Sequence, residues 1–496
     1  MSTSSGNING SNRIFTHDGK ALQPHYRSII DKLGNVSQKR SARGLAPDWV
    51  TWHTDAGDDK MSDHDDLVAG MNIASLATMG IVDLKGITIT GLHRKHNASI
   101  MEGFMRSLGL PDVPVWYGTE EFDPNDHDKD RLARTKKRAA TMTSKDPITK
   151  WQRFHQIDTD IRNSKKSDIE PDDYITGFSR ICDEAKAQGR KIKMAITTGH
   201  QTVNSLLTDP ETATKFTDQV EKVIFQGGML FNDGKIVPAE DARNNFYNIS
   251  ACREFLGRLQ ASNMPTDCYT KNAATACAIE PPFLSELAST GHPGGRFVHE
   301  LASSVDATQF FDTLNDERLF SKNFTTDLFL KFKTTLSPEE AAEKKKFFVD
   351  KWGYQDKSTM TKEGYTDYLS DYSEQLGDSV KAVPYDPEVI VGLMDEEYLT
   401  ELGVLPEYTK DQDSELEETF KLYGKSRTDC GVNTRNMKDT IIALAGHITL
   451  VTEPEGSEPI ATGIRRRLTG EQATRDSEEE LTSCGSDEND CFSCCT

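Results

Sequence analysis

Six aspartates lie within the twelve residues from Asp55 to Asp66. Like charges at this density repel one another unless a cation, solvent or a helix N-terminus compensates them. Carboxylate oxygens are hard ligands that suit Ca²⁺ or Mg²⁺ better than zinc. The pattern is not an EF-hand, because the alternating acids, the central Gly and the final Glu are missing. The stretch therefore predicts either a hard-cation site or a solvated acidic loop with helix-capping carboxylates.

The residues on either side of this acidic stretch predict the elements that position it. An apolar run at 49–52 precedes Asp55, and Asp65 and Asp66 stand directly before a second apolar run at 67–73. This order is typical of a strand, a Gly-containing turn and a helix. In an open parallel α/β sheet, ligands bind at such places, outside the carboxyl ends of the strands.

Further alternating elements predict the fold class. Apolar runs bounded by turn residues alternate with helical patterns, which favours a parallel sheet with crossover helices. We therefore predict an α/β fold with an open, mostly parallel sheet flanked by helices. The predicted strands after the first are 84–91, 113–118, 191–197 and 220–228, and the predicted helices include 99–108, 175–188 and 202–207.

Composition defines the domain organisation and excludes several classes of function. The chain has 496 residues and a net charge of −21, which argues against a general nucleic-acid or anionic-membrane surface. No apolar run approaches the roughly 20 residues of a membrane span. The N-terminus also lacks a secretion signal. We predict a flexible arm at 1–45, an α/β domain at 46–455 with insertions near 120–170 and 336–375, and an acidic disordered tail at 456–496.

The nine cysteines indicate a reducing compartment. Five are scattered along the chain, which fits reduced core thiols and a cytoplasmic protein better than a disulfide framework. The other four crowd the last thirteen residues, where they could be S-acylated, bind a soft metal or do nothing. The oligomeric state is left open, with a homo-oligomer as one option.

The acidic stretch resembles the opening motif of a known family, the inosine–uridine preferring nucleoside hydrolases. That motif reads DxDPGxDD before an apolar helix, and the chain is similar to it at 55–57 and at Asp65-Asp66. His53 stands where the family has its first Asp, and about six extra residues divide the motif.

Later motifs follow in the family's order. Thr198 lies in a turn that resembles the family's GPLTNLA, and Gln226-Gly-Gly stands where the family has Met-Gly-Gly. Asn244 and Asn248 resemble the family's ribose-binding segment, although helix capping would equally explain an Asn pair. Asp386-Pro387 resembles the family's HDPLAVA element, with Tyr385 in place of the His. An Asp-Pro pair is also an ordinary N-cap followed by Pro at the first helical position.

The resemblance implies a divergent nucleoside hydrolase fold that hydrolyses the N-glycosidic bond of a nucleoside or related ribosyl compound. It implies a Ca²⁺ ion held by Asp55, Asp66, Asp386 and the backbone carbonyl of Thr198, with Asp55 also taking a proton from the attacking water. Substrate would be held by Asp65, Asn97, Asn244 and Asn248. Tyr385 stands at the family's leaving-group position, where His93, His96 and His200 are further candidates for the acid.

Two other functions remain open on the residues alone. His53, Ala242 and Tyr385 depart from the family pattern and favour a ligand-binding or regulatory protein without the chemistry. A phosphohydrolase with Asp55 as nucleophile is a third class. Such enzymes require a second Asp two residues further on, where this chain has Gly57.

Overall fold

A parallel β-sheet forms the centre of the described structure. The computed structural model describes residues 13–56, 64–91, 94–119, 161, 174–240, 242–315, 325–353, 355, 360–405, 419–426 and 429–452. Within these residues the sheet has seven strands in the order β3-β2-β1-β4-β5-β8-β9, and each neighbouring pair is parallel. The strands are β1 Asp48–Thr54, β2 Val82–Ile89, β3 Val115–Tyr117, β4 Ile192–Ile196, β5 Val220–Gly227, β8 Thr266–Thr270 and β9 Phe420–Tyr423. An antiparallel hairpin, β6 Met229–Asn232 and β7 Lys235–Pro238, follows β5.

Helices cover both faces of this sheet. Those of the first half are α1 Pro24–Ala42, α2 His64–Thr78, α3 Arg94–Ser107, α4 Tyr174–Ala187, α5 Gln201–Thr208, α6 Pro210–Gln219, α7 Arg243–Tyr247 and α8 Ile249–Ala261. Those of the second half are α9 Lys271–Ala276, α10 Phe283–Ser289, α11 Pro293–Leu314, α12 Thr326–Lys333, α13 Pro338–Trp352, α14 Lys362–Leu376, α15 Tyr385–Gly392, α16 Glu396–Glu401 and α17 Thr434–Val451.

The two faces of the sheet bury separate apolar cores. One core contains residues of α2, α3, α11, α15 and α17, together with Ile224 of β5. The other contains residues of α4, α5, α6 and α8, together with Val223 and Phe225 of the same strand. This division follows from the alternation of side chains along a strand. The fold therefore places α2 and α15 on one face, where the predicted cation ligands begin these two helices.

The first helix replaces part of the predicted flexible arm. Residues 24–42 form α1, in which Leu33 and Val36 are buried, and the helix packs against α16 and α17. The polar composition suggested mobility, but the few apolar residues share one side of the helix and are covered by the later helices. The predicted insertion at 120–170, apart from Ile161, and the tail at 456–496 lie outside the described residues.

A small aromatic core joins the helices of the second predicted insertion. Phe310 of α11, Phe348 of α13 and Tyr368 and Tyr372 of α14 pack together, with ring centroids 4.9–6.5 Å apart. Ser337 and Glu340 form a capping box at the start of α13. This box satisfies backbone donors that would otherwise be left at the helix end. The insertion predicted near 336–375 thus contains two packed helices. Among the helices described, none has the length and apolarity of a membrane span.

We expect His292, which caps α11, to make stability sensitive to acid. Its Nδ1 accepts a hydrogen bond from the Gly294 N–H at 3.1 Å, and its Nε2 lies 2.9 Å from Thr452 Oγ1. Burial lowers the pKa of His292 to about 4, from an ordinary value of 6.5. The unfolded chain therefore binds a proton between these values that the folded chain does not. The contribution is fully present above pH 6.5 and is lost as the pH falls towards 4, by roughly 3 kcal/mol at most.

The matched variant is His292→Asn, which keeps an acceptor for the capping bond but cannot titrate. Urea unfolding at pH 7 and pH 4.5 should show a smaller acid-induced loss of unfolding free energy in the variant than in the wild type. Equal losses in the two proteins would show that His292 is not the responsible group.

Candidate metal centre

Three buried carboxylates meet at the carboxyl end of the sheet. Asp65 and Asp66 lie in the first turn of α2, and Asp386 lies in the first turn of α15. One carboxylate oxygen from each lies within 4.8 Å of the other two, and the three residues are at most 9% exposed. Asp386 is not the N-cap considered for it, because α15 begins at Tyr385 with Pro384 as its N-cap. The adjacent acids Asp65 and Asp66 are thus joined in one cluster by Asp386, which lies 320 positions further along the chain.

The donor set of this carboxylate trio suits a hard divalent cation. Three ionised carboxylates at this distance repel one another strongly in a partly buried site. A bound cation would compensate them, and carboxylate oxygens are the ligands that Ca²⁺ and Mg²⁺ prefer. The helix N-termini of α2 and α15 supply further positive potential, although a helix terminus contributes only about half a unit charge. The buried cluster could therefore hold a metal ion.

A threonine from the central strand orients one of the three acids. Thr54, the last residue of β1, donates a hydrogen bond from Oγ1 to Asp66 Oδ1. Thr54 is fully buried, so this bond is shielded from competing water. The contact fixes the start of α2 against the end of β1.

Asp55 follows directly after this threonine but is not a member of the 4.8 Å group among the described residues. Its backbone oxygen accepts a hydrogen bond from Asn97 Nδ2 at 2.9 Å. Ala56 then adopts a left-handed φ of 47°, which costs a non-glycine residue energy and is often found at functional turns. Gly91, with φ 89°, lies so close that a side chain there would contact Asp55. Asp55 and Asn97 are therefore in contact, and Asp55 directly follows the threonine that bonds Asp66.

A hydrogen bond between two threonines links the carboxyl ends of β2 and β4. Thr198 follows β4 and is fully buried, and its Oγ1 lies 2.7 Å from Oγ1 of Thr90, which follows β2. The pair spans β1, which runs between β2 and β4 in the sheet. Thr198 thus lies at the same sheet edge as Asp55, and the role implied for its carbonyl stays a prediction.

Two of the three asparagines predicted to bind substrate, Asn244 and Asn248, each contact a glutamine. Asn244 Nδ2 donates to Gln226 Oε1 at 2.6 Å. Asn248 Nδ2 donates to Gln201 Oε1 at 2.9 Å, while its own Oδ1 accepts from the Ala251 N–H and caps α8. Asn248 therefore has the capping role considered as the alternative. Neither contact tests substrate binding by these residues.

The candidate proton donors differ in their surroundings. Tyr385 is half-buried and directly precedes Asp386. His200 is fully buried against Phe225 and Phe255, and burial lowers the pKa of its imidazole to about 3. Its ring is therefore neutral at pH 7 and cannot serve there as an imidazolium acid. His93 and the side chain of His96 lie outside the described residues.

Two further buried groups add no charge to the site at neutral pH. Burial lowers the pKa of His53, at the family's first Asp position, to about 3, so that its ring is neutral. Burial raises the pKa of Glu388, two residues beyond Asp386, to about 8. Glu388 is therefore mostly protonated at pH 7 and adds little to the negative charge of the trio.

Sequence reasoning missed Thr54, Thr90 and Gln201 as contacts of the site residues. The signal available for the two threonines was their position at the predicted ligand-binding edge of the sheet. Thr54 ends one largely apolar strand, and Thr90 directly follows another. For Gln201, no signal was available, because its partner Asn248 lies 47 positions away, at the cap of α8.

Comparison with solved structures finds the same fold in two effector proteins. The type III effector protein XopQ, solved in complex with adenosine diphosphate ribose, matches with a TM-score of 0.59 and 17% identity over 86% of this chain and 99% of that chain. The effector protein XOO4466 matches with a TM-score of 0.61 and 18% identity over the same shares. A purine-preferring ribonucleoside hydrolase from Gardnerella vaginalis gives a TM-score of 0.40 and 13% identity, over 81% of this chain and 99% of that chain. No protein-family model and no curated protein sequence matches.

The predicted fold class is confirmed. The chain has an α/β fold with an open parallel sheet flanked by helices, and it shares this fold with the two effectors. At 17–18% identity the likeness to the effectors concerns the fold alone.

Proposed function

We propose that the protein is a Ca²⁺-dependent hydrolase of the N-glycosidic bond of a ribonucleoside or related ribosyl compound. The observation that carries this proposal is the trio of buried carboxylates, Asp65, Asp66 and Asp386, gathered from two distant helices at the ligand-binding edge of the sheet. A solvated acidic loop has no need to bury three acids together, since burial of charge is costly without a partner.

Within the proposed site, Asp66 and Asp386 would hold the cation together with Asp55 and the Thr198 carbonyl. Bound Ca²⁺ would supply Lewis-acid chemistry, which lowers the pKa of a coordinated water. Asp55 would take the proton from the attacking water. Asp65, Asn97, Asn244 and Asn248 would bind the ribosyl hydroxyls.

Bond cleavage in this proposal places positive charge on the ribosyl ring. The transition state of N-glycoside hydrolysis is oxocarbenium-like, so nearby carboxylates such as Asp65 stabilise it. Tyr385 would donate a hydrogen bond to the departing base. A phenol is a weak acid, so we expect Tyr385 to assist through the hydrogen bond rather than by full proton transfer.

A second candidate is a protein that binds a ribosyl ligand without hydrolysing it. The XopQ structure was solved with adenosine diphosphate ribose, so the shared fold can hold a ligand of this class. His53, Ala242 and Tyr385, which depart from the nucleoside hydrolase pattern, also favour this candidate.

The two candidates differ in whether ribose is released. The test incubates the protein with purine and pyrimidine ribonucleosides and with adenosine diphosphate ribose, in calcium and in EDTA, and measures free ribose. The hydrolase proposal predicts calcium-dependent release that is lost in Asp66→Asn. Ligand binding by calorimetry without release would support the second candidate. Neither binding nor release with any of these compounds would overturn both.

A further inference from the structure

The amide side chain of Gln226 lies at the same end of the sheet and on the same face as the carboxylate trio. Ile224 belongs to the core on the side of α2 and α15, whereas Phe225 belongs to the opposite core. Because side chains alternate along a strand, Gln226 emerges on the α2 and α15 side. It is the last residue but one of β5, and α15 packs against this strand.

Gln226 also determines how Asn244 is oriented. Asn244 Nδ2 donates to Gln226 Oε1 at 2.6 Å and lies 3.4 Å from the Gln226 backbone oxygen. The amide nitrogen of Asn244 is therefore occupied, and its Oδ1 is left as an acceptor. Gln226 Nε2 is left as a donor, and the hydrogen bonds between the described residues involve neither of these two atoms.

We propose that Gln226 positions the ligand in this site, by fixing Asn244 and by donating a hydrogen bond from Nε2 to a hydroxyl oxygen of a ribosyl group. This inference rests on the proposed function. A ribosyl diol matches the amide pair, because a hydroxyl can donate to Asn244 Oδ1 while an oxygen accepts from Gln226 Nε2. The chemical class selected is thus a ribosyl compound with its ring hydroxyls unsubstituted.

The sequence adds support, because Gln226 stands where the resembling family has an apolar Met. A Met would fill a similar volume but could neither accept from Asn244 nor donate to a ligand. The polar side chain is therefore a feature of this chain that packing alone does not require.

The test compares Gln226→Met with a matched control, Gln375→Met. Gln375 is also half-buried and also accepts one hydrogen bond, from Lys344 Nζ at 2.9 Å, but it lies in the helical region of α13 and α14. For each protein, kcat/KM or, without turnover, Kd is measured for a ribonucleoside and for its 2′-deoxy and 3′-deoxy counterparts.

We expect Gln226→Met to reduce discrimination against one of the deoxy compounds by about tenfold, the effect of one lost hydrogen bond to a ligand. The control should keep the wild-type ratio. A purely structural role would weaken all three compounds equally, so an unchanged ratio in Gln226→Met would overturn the inference while leaving the proposed function intact. If the wild type neither binds nor hydrolyses any of the ribosyl compounds, the proposed function fails first.

Discussion

Asp386→Asn should raise the stability of the metal-free protein while it destroys activity. Asp386 lies within 4.8 Å of Asp65 and Asp66, so removing its charge relieves repulsion that no cation compensates in EDTA. At this distance the gain is about 2 kcal/mol, which corresponds to a rise of roughly 2–4 °C in Tm. Ribose release should fall by about 1,000-fold or more, because the loss of a metal ligand removes several kcal/mol of transition-state stabilisation.

The change in stability is measured by thermal unfolding in EDTA and in calcium, and the loss of activity is measured by the ribose assay. The wild type should gain stability on calcium addition, and Asp386→Asn should not. Asp378→Asn is the control, because Asp378 is an exposed acid that is not one of the three clustered carboxylates. It should leave both measurements unchanged. A loss of metal-free stability in Asp386→Asn would contradict the idea that the three carboxylates repel one another.

Lys193→Met should destabilise the protein strongly, because Lys193 is a buried cation at the amino end of the sheet. Lys193 Nζ lies 3.0 Å from Asp48 Oδ2 and from the Leu393 backbone oxygen, and it also donates to Asp395. Burial lowers the pKa of this amine, but the carboxylates of Asp48 and Asp395 outweigh burial and the pKa is raised. Removal of the amine leaves two partly buried carboxylates with less compensation.

The expected loss of unfolding free energy is about 3 kcal/mol, measured by urea unfolding. It lies at the lower end for a broken buried pair, because Arg40 Nη2 still contacts Asp395 Oδ2 at 2.5 Å. The matched control is Lys215→Met, whose acidic partners Asp183 and Glu211 are 61% and 76% exposed. That variant should lose less than about 1 kcal/mol, as exposed pairs do. Equal losses in the two variants would show that burial does not set the strength of the Lys193 pairs.

The order of strands and helices around the site could be predicted from the sequence because each element there is long and strongly patterned. The apolar runs that became β1, β2 and β4 are bounded by Gly, Asp or Thr turns, and the structure places β2 and β4 on either side of β1. Strand β9, by contrast, is a four-residue edge strand whose pattern is too short to recognise. The packing of α1 depends on α16 and α17, several hundred residues away, so local composition suggested a mobile arm instead.

In the candidate site, too, some residues could be predicted from the sequence and others could not. The chemistry of Asp65 and Asp66 could be predicted because the two acids are adjacent and begin a helix. Asp386 could be paired with them only through a family resemblance, since nothing local links residues 320 positions apart. The contacts of Thr54 with Asp66 and of Gln226 with Asn244 join different elements of the fold. The hydrophobic periodicity of the sequence does not predict contacts of this kind.

The most direct measurement of the central claim follows ribose release by proton NMR in protein stripped of metal and then titrated with calcium. The substrate is the ribonucleoside that the wild type cleaves fastest in the panel. We expect no release without metal and a rate that rises until one equivalent of calcium is bound and then stays constant. Release that is independent of calcium, or no release at any calcium concentration, would contradict a calcium-dependent hydrolase built on Asp66 and Asp386.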